Sequence, residues 1–386
     1  MERAAVESAL ARLDAWVEAR DFRGWDPHDA LNSPLVKAFT FGQRRLGQVW
    51  VQLLRRSPVN VRPLLGVRTG HNPKAMGLFL ASYWRKYQLS GEARHLERVR
   101  WLAEWLRDDA ARTAHGLGWG YNFDWPNRDF FAPAGTPTVV NTAFVGLALL
   151  DVQLSDFDAR SLLRAACDFI RFDLRQTPGG PGELCLSYTP LDGRRVHNAN
   201  VLGAWLLAET AARTGDAELA DLALSAARYT ARRQRADGSW LYGEAAHDAW
   251  VDGFHTGYVL LALRGLGRAV ETQEFELAVN RGYAYWKARC LGPEGAPRYY
   301  PDRPYPQDAH SAAVSILTLL AFARDDPAAA PLAEQMVHWA ITNLQAPDGS
   351  FDYEISRRYR IRIPYMRWTQ AWMQRALTEW VVRAHA

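Results

Sequence analysis

Six segments of this chain open with one or two polar residues and continue as runs of small and bulky apolar residues, beginning at Asn72, Asn141, Asn198, His255, His310 and Thr369. By subtraction, successive openings lie 69, 57, 57, 55 and 59 residues apart. That spacing fits two helices and their connections, and six such units close into a ring of helical hairpins. Such a ring gathers its six inner helix starts around one mouth, so the polar residues at those starts are where function is to be sought. The 386 residues are read as one all-α domain, with 1–60 supplying N-terminal helices that complete the outer layer.

Composition narrows the partners. Apolar residues make up 48% of the chain, enough for a large core, and the formal charge is only +4. No Lys/Arg block interrupts the helical pattern, so no nucleic-acid partner is expected. Cys167, Cys185 and Cys290 are far apart and form no C-x-x-C, which indicates neither a disulfide framework nor a thiolate zinc site. The opening MERAAVESALARLDAWVEAR reads as a charged amphipathic helix rather than a signal peptide, with Ala5, Leu10, Leu13 and Trp16 near one face. No stretch is apolar for long enough to span a bilayer, and a cytoplasmic protein is expected.

Between the inner helices the pattern predicts charged outer helices near 94–110, 156–175, 217–234, 271–290 and 328–345, each followed by a long aromatic loop. ELCLSYTP reads as a short strand within one of these loops. Loops of this length are more often functional than accidental. Ser33 and Pro34, and again Asn72 and Pro73, read as helix starts. Gly77, Gly146, Gly203 and Gly257 are expected to let inner helices approach closely. QRADGSW and QAPDGSF each predict a tight Asp-Gly turn followed by an aromatic plug between hairpins.

These two turns, together with six hairpins, resemble the (α/α)6 toroids. That group includes terpene cyclases, protein prenyltransferases, and glycan-active lyases, hydrolases and epimerases such as glucuronyl C5-epimerase and N-acylglucosamine epimerase. Across 118–144, SYTPLDGRRVHNANVLGA, DGSWLYGEAAHDAWVDGFHTGY, YYPDRPYPQDAHSAA and RIPYMRWTQAWM, the chain looks like a bacterial family found with exopolysaccharide and cell-surface glycan biosynthesis genes. The resemblance implies a toroid with long aromatic loops on one face and an oligosaccharide or polysaccharide substrate. It does not bring a reaction with it.

Asp252 with His255, and Asp308 with His310, bring a carboxylate and an imidazole to two consecutive inner helix starts. A carboxylate there is stabilised as the anion, and a neighbouring His can be held in one tautomer as acid or base. The same aspartates could equally be plain N-caps. No H-E-x-x-H or comparable motif supports a metal, and no cofactor is expected. Around these four, the aromatic loops supply surfaces for sugar rings and polar partners for hydroxyls. Trp119, Tyr121, Asp124, Trp125 and Arg128 come from the first, and Tyr188, His197 and Asn198 from the second. Trp240, Tyr242, Glu244 and Trp250 come from the third, Tyr300 and Arg303 from the fourth, and Tyr365, Arg367 and Trp368 from the last. Asn141 and Asn198 are expected to cap their helices. Arg367 sits at the wrong end of a helix for its charge and is expected to face an anion, either a substrate carboxylate or Asp308.

Three reactions suit such a mouth. Hydrolysis needs two carboxylates, drawn from Asp124, Glu244, Asp252 and Asp308. Elimination or epimerisation needs a base (His255, His310 or Tyr365) and a cation (Arg367 or Arg303). A non-catalytic glycan-binding or assembly factor is the alternative. A terpenoid cyclase or prenyltransferase would need D-x-D-D or D-D-x-x-D; neither occurs, and Asp325-Asp326 lies in a connection between helices.

Overall fold

In the computed structural model, which describes residues 2–385, six inner helices form a closed ring. They are α4 (Pro73–Ser90), α6 (Val139–Asp151), α8 (His197–Thr214), α10 (Gly253–Ala269), α12 (Ala309–Phe322) and α14 (Ala371–His385), and α14 returns to pack on α4. The outer helices are α1 (Arg3–Glu18), α5 (Ala93–Asp109), α7 (Ala159–Asp168), α9 (Ala217–Arg232), α11 (Glu276–Cys290) and α13 (Ala329–Leu344). One buried apolar cluster runs from Val6 to Val381.

The inner helices are buried on nearly every side, which their apolar sequences require. Glycines allow the ring to close. A Cβ on Gly146 would lie 2.6 Å from Leu206 of the next inner helix, and one on Gly257 would lie 2.8 Å from Val314. The two Asp-Gly turns form as expected, and their glutamines also tie the outer layer together. Gln234 Nε2 donates to Ala278 O at 2.8 Å, and Gln345 Nε2 donates to Ala9 O at 2.8 Å, which ties α13 to α1. Trp240 and Phe351 are buried behind these turns. The short strand also forms: Leu184–Leu186 pairs antiparallel with Gln176–Pro178.

The N-terminal 60 residues depart from expectation. Only α1 joins the outer layer, against α14 and α13. It does so through Val6, Ala9, Leu10, Leu13, Trp16 and Val17, while Ala5 is exposed. The chain then crosses to the loop side, where α2 (Pro34–Thr40) and α3 (Arg44–Arg56) pack on the turn Asp29–Asn32 and the strand Trp125–Pro126. The reason is local. Phe41 takes a left-handed conformation (φ 48°) before Gly42 (φ 72°), which breaks the 33–56 pattern into two short helices. The small cluster Ala30, Val51 and Leu54 then packs separately from the main core.

Cap chemistry explains where the inner helices begin. Asn72, Thr138, Asp252 and Asp308 each accept a backbone N–H of the first turn with a side-chain oxygen. Asn141 and Asn198 do not cap. Thr138 takes that role for α6, and α8 starts from Val196 without a side-chain cap. Thr138→Ala should therefore lower stability by about 1 kcal/mol, measured as a shift in the urea midpoint, whereas a purely structural Asn141 cap would leave it unchanged.

Candidate functional site

Capping sets a register that decides which side chains meet. The second residue of five inner helices lines one cavity of about 180 Å³: Lys74, Val140, Asn198, Phe254 and His310. Helical side chains lean toward the N-terminus, so these positions point into the mouth. The sixth helix is preceded by a wider turn, Met366–Gln370, which contributes Arg367 and Trp368. Tyr121, Trp125, Tyr188, Tyr242 and Trp250 form the aromatic wall.

The two Asp/His starts are not alike. Asp252 is the cap and His255 the third helical residue, so both reach the same place. Asp252 Oδ1 accepts the His255 backbone N–H at 2.8 Å, and its Oδ2 lies 2.6 Å from His255 Nδ1. A carboxylate only accepts, so Nδ1 carries the proton and Nε2 holds the lone pair of the neutral ring. His310 is one residue closer to its cap, about 100° away around the helix, and misses Asp308. Asp308 instead accepts from the Ser311 backbone N–H and from the Trp368 indole, and burial pushes its carboxyl up to about 6. His310 Nε2 meets the Tyr258 hydroxyl at 2.5 Å. Burial, followed by the charges of Lys74 and Arg367, holds His310 well below the usual imidazole range, so it is neutral at pH 7. Phe254 packs against both imidazoles, with ring centroids 4.0 Å from His255 and 4.7 Å from His310.

Arg367 does face an anion, but the anion is Asp26. The pair is bidentate at 2.6 and 2.8 Å, with both residues at most 5% exposed. Burial alone would raise Asp26; the Arg367 guanidinium and the His28 contact overcome this and hold its carboxyl well below the ordinary range. His28 also lines the cavity, and burial takes its imidazole down to about 4. Lys74 lies on the axis over the rings of Phe144, Tyr258 and Trp372, 4.2 to 5.2 Å from their centroids. Burial depresses its pKa well below 10.5, and no carboxylate among the described residues pairs with it. Asp26, His28, Arg55, Lys74 and Tyr258 are not singled out by the repeat pattern. Lys74 carries the clearest signal, as one of four lysines in the chain and two residues past a cap.

Several expected residues lie elsewhere. Asp124 is held by Lys37 at 2.7 Å and by the Ala134 backbone N–H. Glu244 is tied to Arg195, Arg233 and the Tyr229 hydroxyl. Tyr365 is fully buried against Arg62 and Tyr353. Trp119 and Trp240 are core plugs whose indoles donate to Leu106 O and Thr230 O. His197 is buried against Tyr229, and burial lowers it to about 4. Tyr300 and Arg303 stack on each other outside the cavity, with Arg303 paired to Asp302. Arg128 lines a neighbouring cleft. Apart from Arg128, each of these side chains is claimed by a nearer partner in the core, on a loop or on another helix before it can reach the mouth. Asp129, His247 and Asp248 cluster among these loops, but Arg194 pairs with both aspartates and holds the group together.

No protein family and no curated protein matches the chain by sequence. Solved structures do match it. An unsaturated glucuronyl hydrolase from Bacillus sp. GL1, responsible for the degradation of glycosaminoglycan, superposes with a TM-score of 0.65 at 16% identity, over 100% of this chain and 97% of that one. A cellobiose 2-epimerase from Bacillus thermoamylovorans B4167 gives 0.64 at 10% identity, over 82% and 90%. A D-mannose isomerase gives 0.61 at 13% identity, over 81% and 87%. The fold is the (α/α)6 toroid. Among the described residues, no helix is long and apolar enough to cross a membrane.

Proposed function

We propose that this protein is a sugar epimerase or isomerase of surface-polysaccharide metabolism, moving a proton on a carbon beside a carbonyl. One observation carries the reading: among the described residues, the cavity is lined by imidazoles, guanidiniums, an amine and aromatic rings, and by no carboxylate. Hydrolysis through two carboxylates requires both to flank the bond, roughly 5–10 Å apart. Here Asp124 and Glu244 are engaged elsewhere, and Asp252 and Asp308 are turned to helix starts and ring N–H groups.

In this reading His255 Nε2 removes the proton, and Asp252 stabilises the imidazolium that forms. The imidazolium then gives that proton back to the substrate carbon, while neutral His310 and the Tyr258 hydroxyl are polar partners on the other side of Phe254. Arg367 offsets the negative charge that develops on the carbonyl oxygen, and the Lys74 amine donates to it. The aromatic wall binds apolar sugar faces. A pure binding module would need that wall but not the Asp252–His255 clamp. The toroid neighbours include an epimerase and an isomerase, and the resemblance to polysaccharide-biosynthesis proteins runs through the mouth loops.

Incubation in D2O with a panel of neutral and uronate reducing sugars, followed by NMR, tests this. Deuterium should enter at the carbon beside the carbonyl as an epimer or isomer accumulates. New reducing ends without deuterium incorporation would overturn the reading in favour of hydrolysis.

A further inference from the structure

From Ala30 to Gly91 the chain contains no carboxylate and ten basic residues. Where this segment covers the mouth, α3 and the loop around Trp125 wall an open cleft of about 1060 Å³. Arg44, Arg45 and Arg56 stand on one wall and Arg128 on the other, and no Asp or Glu lines it. Among the described residues, none of these four guanidiniums has an ion pair or a side-chain hydrogen bond. Arg44 and Arg45 occupy the first turn of α3, where the helix dipole disfavours cations. Exposed Val49 and Leu53 lie on the same wall. His28 and Trp125 line both this cleft and the cavity, so the two spaces adjoin.

Unpaired like charges facing one groove repel one another, and a bound polyanion relieves that cost. We infer that the cleft binds the carboxylate-bearing run of an acidic glycan, whose neighbouring sugar enters the cavity. Guanidinium forks match carboxylates bidentately, and Val49, Leu53 and Trp125 offer apolar surface to pyranose faces. The inference rests on the sugar-active reading above and names its substrate class.

The test is calorimetric titration of a galacturonate oligomer and a neutral oligosaccharide of equal length, at low and high salt. Wild type is compared with Arg128→Gln and with the combined Arg44→Gln, Arg45→Gln, Arg56→Gln variant, both checked for unchanged melting. The acidic oligomer should bind preferentially and lose affinity with salt. The triple variant should bind it on the order of 10-fold more weakly or worse, and Arg128→Gln a few-fold more weakly. Equal binding of the neutral oligomer, undiminished binding by the triple variant, or arginine-dependent binding of anionic lipid vesicles without binding of the oligomer would each overturn the inference. The D2O experiment reports separately. Arginine-dependent binding without exchange removes the proton-transfer reading alone, and exchange without acidic preference removes the cleft alone.

Discussion

His255→Ala should lower turnover by about 10²- to 10⁴-fold, with KM for the same sugar changed far less. The side chain supplies the cavity imidazole that a carboxylate holds at 2.6 Å in one tautomer, so its loss removes proton transfer rather than binding. Asp252→Asn is the sharper control. Asparagine can still cap α10, so the fold should hold. Its single oxygen, kept by the cap, cannot also accept from Nδ1, and a neutral amide does not stabilise the imidazolium, so turnover should fall over a similar range. Deuterium exchange rates for both variants, beside their melting curves, decide the matter. Wild-type rates in either one would take this pair out of the chemistry.

Asp26→Asn should cost about 3–5 kcal/mol of stability, because it leaves the buried Arg367 guanidinium without its counter-charge. The loss extends beyond one ion pair. Asp26 belongs to the strap that carries Trp25 O to the Met366 N–H and Gly24 to Gly70, so these backbone bonds should loosen with it. The pH dependence has a definite sign. Asp26 is held below its ordinary value of 3.8, so its contribution is complete above that pH and is lost as acid carries the protein down towards the folded-state value. Asp29 and Asp308, pushed up to about 6, act in the opposite sense between 3.8 and 6. Subtracting the variant's urea stability from wild type at each pH isolates Asp26. A difference that is constant down to strongly acid pH, or below 1 kcal/mol at pH 7, would refute the assignment.

Much of the ring is legible in the order of the residues. Apolar runs near 57-residue spacing, with glycines inside them, specify inner helices that pack on one another, and the Gln-x-x-Asp-Gly turns specify their seams. The candidate site is legible only in part. His255, His310, Asn198, Arg367 and Trp368 do share a cavity, together with Tyr121, Trp125, Tyr188, Tyr242 and Trp250. Aligning the repeats on their first polar residue treats the two Asp/His pairs as equivalent. Aligning them on the caps instead places Lys74 beside His310 and separates the two pairs.

What the sequence determined by itself is local and periodic: which segments are inner helices, which faces are apolar, and therefore that six starts share a rim. Those properties follow from interactions within a few residues and from a repeat that any register preserves. Tertiary structure decided which side chain answers which. It brought Asp26 to Arg367 across most of the chain, Tyr258 rather than Asp308 to His310, and α3 over the mouth instead of into the outer layer. A one-residue change in distance from a cap rotates a side chain by about 100°, and a salt bridge between distant segments leaves no periodic trace in either. Both become visible only once the ring has closed.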